Sequence, residues 1–154
     1  MGFDVNKFQN AKFIERIESV KMEVLRDYFD PKEDPIFKVR NLTGEELGRV
    51  NQAVQKNKNV AAILDGLLSN IDRDKIEAIK QTIGTSDAKV PDDIARRLEM
   101  IQLGSVDPKV DLSLAKKLCR CFPIEFYDLT NAITRLTGLG SELGKAKPSG
   151  KTQK

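Results

Sequence analysis

The pattern of hydrophobic and polar positions is clearest over the segment Cys121–Gly138. Its apolar residues recur at intervals of three, four and three, which places them on one face of a helix. The residues of this stripe are Phe126, Leu129, Ile133 and Leu136. Pro123 suits a first helical turn, and Gly138 suits the position that closes a helix. The segment therefore predicts a helix whose stripe packs in a core or an interface.

The N-terminal third has a less regular pattern. The apolar positions of Lys12–Val20 have helical spacing, but they also fit a strand, with poor alternation. Met22–Phe29 predicts a short amphipathic helix or a turn. Asp30–Pro35 holds two prolines and four charges and predicts a loop. Ile36–Leu42 alternates well enough to predict a strand, which would pair with Lys12–Val20 or with the edge of another subunit.

Several further helices follow from apolar spacing and from end signals. Thr43 and Glu46 have the spacing of a capping box, in which each side chain bonds the other residue's backbone N–H. Asp111 is a good N-cap for the segment that leads to Phe122. The predicted helices are Thr43–Leu68, with a bend near Asn57, then Arg73–Ile83, Pro91–Gly104 and Asp111–Phe122.

Together these elements predict a mainly α fold. We expect a small helical bundle of about five helices, with a minor β-strand or ribbon near the N-terminus. The helical domain would span residues 1–138, with an N-terminal segment and loop at 1–35 and the main body at 36–138. Val106–Val110 predicts a turn. Residues 139–154 are rich in Gly, Ser, Lys and Pro and predict a disordered basic tail.

The charge distribution argues against nucleic acid as a partner. The formal net charge is +3, but residues 145–154 hold four Lys and no acid, so the rest of the chain carries −1. A domain that binds nucleic acid would place basic residues on its folded elements. No apolar run approaches the length that a membrane span requires, so we expect no membrane partner.

Catalytic chemistry has little support in the sequence. The chain contains no histidine, which removes His-activated nucleophiles and imidazole metal sites. Cys119 and Cys121 are two residues apart on a predicted helix, so they point apart and favour neither a disulfide nor a zinc site. Adjacent carboxylates lie at predicted helix starts, where they compensate the helix dipole. We expect no enzyme activity, cofactor or metal.

Apolar surfaces are the candidate functional feature. The long helix carries a second row of apolar side chains beside its main stripe, and the last helix has aromatic residues on adjoining faces. Such surfaces let a small bundle bury one face and offer another to a second copy or a client. The candidate partner-binding residues are Val60, Ile63, Leu67, Phe122, Phe126, Tyr127 and Leu129.

Three segments resemble one protein family, the tail assembly chaperones of phages with long, non-contractile tails. Phe122–Tyr127 (FPIEFY), with the LTN and LTG that follow it, is similar to the family's C-terminal signature. Val39–Leu68, with VRNLTGEELGRVNQA and NKNVAAILDGLLS, and Pro91–Ser105 (PDDIARRLEMIQLGS) are similar to further segments in the same order. The resemblance covers most of residues 36–138. It also implies that Lys12–Val20 is extended, which the spacing alone leaves open.

The resemblance implies a function without enzyme activity. Such a chaperone coats the tape measure protein, keeps its apolar helical segments soluble, and is displaced as tail tube subunits polymerise. It acts in the host cell cytoplasm, in a phage or prophage infection, and is absent from the mature virion. Expected partners are the tape measure protein, further copies of the chain, and the tail tube protein, which binds a longer form made by ribosomal frameshifting.

The present chain is similar to the short form, with Gly-Lys pairs at Gly144 and Gly150. The competing interpretation is a small helical adaptor, or a structural tail component, that acts through protein–protein interaction. Both interpretations need an apolar surface, and they differ in the partner that covers it.

Overall fold

A computed structural model describes residues 2–68 and 90–144, and for residues 60–68 it describes the backbone without the side chains. The predicted helix Arg73–Ile83 lies outside the described residues. So do residues 145–154 of the predicted tail, and the side chains of the second apolar row, Val60, Ile63 and Leu67.

The described elements alternate between short strands and helices. The first half of the chain contains α1 (Val5–Asn10), β1 (Phe13–Ile14), β2 (Ile17–Lys21), a 3₁₀ helix (Glu23–Tyr28) and β3 (Ile36–Arg40). The second half contains α2 (Gly44–Leu68), α3 (Asp92–Gly104), β4 (Ser105–Asp107), α4 (Leu112–Cys121), α5 (Pro123–Leu139) and β5 (Glu142–Leu143).

The larger sheet has three antiparallel strands in the order β2-β3-β4. In the central strand β3, Phe37 and Val39 are buried and Lys38 is exposed, which is the alternation expected of a strand with one covered face. The whole of β2 pairs with β3, from Ile17 opposite Arg40 onward. The strand predicted at 36–42 is thus present, and the ambiguous segment before it is extended.

The fold is mixed α/β, and the prediction of a mainly α bundle of about five helices is wrong. The sheet is larger than an N-terminal ribbon because β4 joins the far side of β3, with Ser105 opposite Val39. A second sheet forms where β5 pairs with β1. Part of β4 falls in the predicted turn at 106–110, and β5 falls in the predicted disordered tail.

The core lies where α3, α4 and α5 pack together and α5 covers β3. The apolar stripe predicted for α5 supplies its centre, and all four stripe residues are buried. Residues from the strands, from the other helices and from the segments between them complete the core: Met22, Leu25, Phe37, Val39, Leu42, Val50, Leu98, Ile101, Val110, Ala115 and Leu118. Because burial of this apolar surface is the main favourable term in folding, α5 is the element on which the domain depends.

Local sequence signals explain where several helices begin. At α2 the Thr43 N–H donates to Glu46 Oε1 (2.9 Å) and the Glu46 N–H donates to Thr43 Oγ1 (3.2 Å), so the predicted capping box is confirmed. At α4 the Leu114 N–H donates to Asp111 Oδ1 (2.8 Å), as predicted for an N-cap. Pro123 is the first residue of α5, where its missing N–H costs nothing.

The C-terminal end of α5 differs from the prediction. Gly138 was expected to close the helix, but α5 continues to Leu139 and Gly140 follows with φ 74°. A positive φ favours glycine, so both glycines fit a helix end by type and tertiary contacts choose between them. Arg16 Nε donates to the carbonyl oxygen of Gly140 (2.7 Å), which is one contact that holds the later turn.

The chain after α5 is ordered at least to Gly144, so the expectation of disorder from residue 139 is wrong for residues 139–144. β5 runs antiparallel to β1, with Leu143 opposite Phe13, and the Gly144 N–H donates to the Lys12 carbonyl oxygen (2.7 Å). These contacts are mostly backbone hydrogen bonds, which leave no apolar periodicity in the sequence.

Gly104→Ala should lower the free energy of unfolding by about 1–3 kcal/mol, the usual cost of overpacking a core. A Cβ at Gly104 would lie 2.7 Å from Ile133 Cδ1 and 3.0 Å from Ile133 Cγ1 and Cγ2. Ile133 is fully buried, so it has no free space into which it can move. Urea denaturation followed by circular dichroism measures the change.

Gly48→Ala provides the matched control, because a Cβ there meets nothing within 4 Å. Gly48 lies inside α2, so alanine should raise the stability by up to about 1 kcal/mol. Ile133→Val removes Cδ1, the atom nearest to the added Cβ. The double variant Gly104→Ala/Ile133→Val should therefore recover part of the lost free energy of unfolding. A Gly104→Ala variant as stable as wild type would contradict the close approach of α3 and α5.

Candidate protein-binding surface

The structure separates the predicted partner-binding residues into three groups. Phe126 and Leu129 are fully buried, so in this conformation they belong to the core and are removed from any surface open to a partner. Phe122 is half-buried and packs against the core, and Tyr127 is partly exposed. The side chains of Val60, Ile63 and Leu67 are not described, so the role of this row in partner binding stays a prediction.

Tyr127 has a structural neighbour that fixes its ring. The guanidinium carbon of Arg97 lies 4.3 Å from the ring centroid, a cation–π contact. Arg97 also donates to Asp93 Oδ2 (2.8 Å), Thr130 Oγ1 (2.6 Å) and Asn131 Oδ1 (2.8 Å). One face of Tyr127 is thus used to join α3 to α5, and its role in partner binding stays a prediction.

A cluster of exposed rings lies instead on the N-terminal arm, residues 2–14. Phe3, Phe8 and Phe13 are 72%, 53% and 44% exposed, and their ring centroids are 5.2 Å and 5.1 Å apart in sequence order. Leu143, 66% exposed, lies opposite Phe13 in the β1–β5 pair, where opposed side chains share a face. We call these four residues the aromatic patch.

The aromatic patch is not needed to build the core. None of the six residues of α1 is buried, and its only side-chain cap is Asp4, which accepts from the Lys7 N–H (3.0 Å). A helix of this length is marginal in water unless it packs against something. The three rings expose about 340 Å² if a whole Phe side chain presents about 200 Å², and apolar patches of a few hundred Å² on monomers are often functional.

A polar clasp holds the arm and the C-terminal segment together. Asn41 is buried, and its Oδ1 accepts from the Arg16 N–H (2.8 Å) while its Nδ2 donates to Ser141 Oγ (3.3 Å). Arg16 also forms an ion pair with Glu142 (3.6 Å). Because β1 and β5 flank this clasp, it determines where Phe13 and Leu143 lie.

Some of the charged side chains beside the aromatic patch form ion pairs and others do not. Arg16 is paired with Glu142, and the Asp4 carboxylate caps α1. Lys7 and Lys12 adjoin Phe8 and Phe13 in the chain, are exposed, and form no ion pair among the residues that the structure describes. The Asp4 carboxylate keeps its negative charge, so Asp4, Lys7 and Lys12 together leave a formal charge of +1 at the edge of the patch.

Other kinds of site find no support in the described part of the chain. Among those residues, no group of three or more His, Cys, Asp or Glu is arranged to hold a metal ion. Cys119 and Cys121 are both free thiols, and burial raises the pKa of Cys119, which lowers its thiolate fraction. No described helix combines the length and the apolar character needed to cross a bilayer.

Sequence reasoning missed the aromatic patch. Phe3, Phe8 and Phe13 are five residues apart, which is neither a helical nor a strand period, and they meet because the chain turns between α1 and β1. The available signal was compositional, since three of the seven phenylalanines lie in the first thirteen residues.

No protein-family model, curated protein or solved structure matches the chain.

Proposed function

We propose that this protein is a tail assembly chaperone that binds apolar helical segments of a tape measure protein through the aromatic patch. The observation that carries the proposal is a cluster of three exposed rings on an arm with no buried helical residue. The resemblance of three segments of the body to tail assembly chaperones supplies the identity of the client.

The mechanism needs only many weak contacts. A long amphipathic client exposes more apolar surface than it can bury alone, and several copies of a small binder can cover it. Because the patch is small, each copy binds the client with modest affinity. Tail tube subunits that polymerise around the client can therefore displace the copies one by one. Release then requires no nucleotide, and the chaperone leaves before the virion is complete. Tail tube protein would join through the longer form of the chain.

Co-expression with the long helical protein encoded next downstream tests this function. We expect a soluble complex with many copies of the chain per client, while the client alone precipitates. Affinity pull-down followed by light scattering gives the mass and the stoichiometry. A client that is soluble alone and that retains none of the chain would refute the proposal and favour the adaptor interpretation.

Phe8→Ala should weaken client binding at least tenfold, because aromatic anchors dominate the binding energy of small interfaces and Phe8 contacts both other rings. The free energy of unfolding should change by less than about 0.5 kcal/mol, since the ring is outside the core. Quantitative pull-down with the client measures the first effect and urea denaturation the second.

Tyr28→Ala is the matched control. Tyr28 is an aromatic residue on the 3₁₀ helix, is 80% exposed, and lies outside the aromatic patch. Its removal should leave both binding and stability unchanged. Equal losses in the two variants would show that binding follows exposed aromatic area in general, and the assignment of the patch would fail.

A further inference from the structure

The three-stranded sheet has one edge that is protected against further pairing and one edge that is open. The protected edge is β4, which has three residues, pairs with β3 through a register shift, and is followed by Pro108, which has no N–H to donate. The open edge is β2, whose five residues pair with β3 in one unbroken register. β2 contains no proline, and no described strand lies on its other side. A further strand can therefore add to β2.

The backbone groups of β2 alternate between the side of β3 and the open side. At one end the Asn41 N–H donates to the Arg16 carbonyl oxygen (3.1 Å), and at the other the Met22 N–H donates to the carbonyl oxygen of Pro35 (2.6 Å). Residues of even number therefore bond toward β3. The residues of odd number point to the open side, and their N–H and C=O groups have no hydrogen-bond partner among the described residues: Ile17, Ser19 and Lys21.

The charges on β2 are neutralised within the chain, so they do not protect its edge. Charged side chains on an edge strand usually discourage pairing with another chain. Here Glu18 accepts from Arg135 Nη2 (2.7 and 2.5 Å), and Lys21 forms an ion pair with Glu23 (3.7 Å). Ile17 is 53% exposed. A strand that pairs with β2 would cover Ile17 without leaving a charge unpaired.

We propose that the edge of β2 binds β2 of a second copy of this chain, antiparallel across a two-fold axis at Ser19. In this register Ile17 lies opposite the partner subunit's Lys21, and each Ser19 lies opposite its own copy. All three open residues of each strand are then used, and the pair forms about six backbone hydrogen bonds. The two sheets join into one continuous sheet. The proposal is independent of the proposed function, because the aromatic patch takes no part in the contact.

The residues of β2 favour this register over the other symmetric ones. An axis at Glu18 would place two glutamates directly opposite each other, which is destabilising. An axis at Val20 would leave the open groups of Ile17 without a partner. A head-to-tail contact between β2 of one copy and β4 of the next would use the protected edge. The open edge is thus complementary to itself, and a closed dimer is the expected assembly.

Sedimentation equilibrium of the full chain, from about 1 µM to 1 mM, tests the proposal, because a single strand pair makes a small interface of modest affinity. The mass should rise with concentration from 17.3 kDa toward twice that value. Amide hydrogen exchange followed by NMR identifies the interface. The amides of Ile17, Ser19 and Lys21 should become protected only as the dimer forms, whereas those of Glu18 and Val20 are protected at every concentration. A chain that stays monomeric at about 1 mM overturns the inference.

Opposite charges introduced at Ser19 test the position of the axis. Ser19→Glu and Ser19→Lys should each weaken the dimer by about three- to fivefold, because each places like charges opposite one another. An equimolar mixture of the two variants should recover wild-type affinity by forming a mixed dimer. Ser113→Glu, an exposed serine of α4, is the matched control and should leave the dimer unchanged. A mixture that associates no better than either variant alone refutes the axis.

Ser19→Pro removes a backbone N–H on the open side and no hydrogen bond to β3, so proline is compatible with the folded strand. It should weaken the dimer at least tenfold, whereas Ser19→Ala, which keeps the N–H, should dimerise as wild type does. If Ser19→Pro does not fold, the mixture of charged variants still decides the question. A dimer that survives Ser19→Pro, or that Phe8→Ala abolishes, would place the interface elsewhere and overturn the inference.

Discussion

Replacing Phe126 by alanine should lower the free energy of unfolding by about 3–5 kcal/mol, the range for truncating a fully buried phenylalanine. Phe126 has no exposed surface and lies at the centre of the core between α5 and its neighbours. The cavity cannot close easily, because the residues on the same stripe are buried as well. Urea denaturation should show the loss, and for a chain of this length it corresponds to a drop in Tm of roughly 6–20 °C.

Ile124→Ala is the control on the same helix, because Ile124 is 67% exposed. It should change the stability by less than about 0.5 kcal/mol. The comparison also decides the role of Phe126 in binding. The folded fraction of Phe126→Ala should still bind the client as wild type does. A variant of unchanged stability that fails to bind would show that Phe126 contacts the partner and is not a core residue.

Helices with a continuous apolar stripe were predictable from the sequence. The stripe of α5 and the end of α3 at Gly104 follow directly from apolar spacing and end signals. The N-caps at Thr43 and Asp111 follow from hydrogen bonds that join residues three positions apart. Such features depend on neighbours in the sequence, so the sequence pattern contains most of the information that fixes them.

The short strands were not predictable, because each depends on a partner far along the chain. β4 has three residues and β5 has two, too few to show an alternation. β4 forms because β3 presents an unpaired edge next to the end of α3, and β5 forms because the clasp around Asn41 brings residues 140–144 to the arm. Without these pairings the sequence of β4 and β5 predicts a turn and a disordered tail. The predicted fold class is therefore too helical.

The candidate site also shows the difference between features that the sequence predicts and features that depend on distant parts of the chain. Phe126 and Leu129 were chosen because aromatic and apolar residues concentrate in α5, but that concentration reflects the core. The aromatic patch uses residues whose spacing matches no regular element, so only the path of the chain brings Phe3, Phe8 and Phe13 together. Periodicity finds buried faces well, whereas an exposed cluster made by a turn requires the three-dimensional structure.

Stability should depend on pH between about 4.5 and 2 through Glu46, and the size of the effect should be roughly 3 kcal/mol. Arg40 donates to both carboxylate oxygens, from Nη1 to Oε1 (2.8 Å) and from Nη2 to Oε2 (2.6 Å). These bonds lower the pKa of Glu46 from 4.5 to about 2, and the N–H of Thr43 adds to the effect. Both side chains of the pair are largely shielded from solvent, so water screens the interaction only in part.

The sign follows from which state takes up the proton first. Above pH 4.5 Glu46 is charged in the folded and the unfolded chain, and the whole contribution is present. As the pH falls below 4.5 the unfolded chain binds a proton while the folded chain does not, so the free energy of unfolding decreases. The contribution is almost lost near pH 2, where the folded carboxyl also takes up its proton.

Urea denaturation of wild type and Glu46→Gln at several pH values isolates this one group, because the other carboxyls contribute equally to both proteins. The difference in stability between the two should be largest near pH 6 and should shrink by roughly 3 kcal/mol by pH 2. Glu45→Gln is the control, since Glu45 is exposed and forms no ion pair among the described residues. A difference between wild type and Glu46→Gln that stays constant with pH would mean that Arg40 and the capping box do not hold Glu46 in the folded chain. The connection from β3 into α2 would then need another anchor, because this carboxylate is the group that joins Arg40 of the strand to Thr43 at the start of the helix.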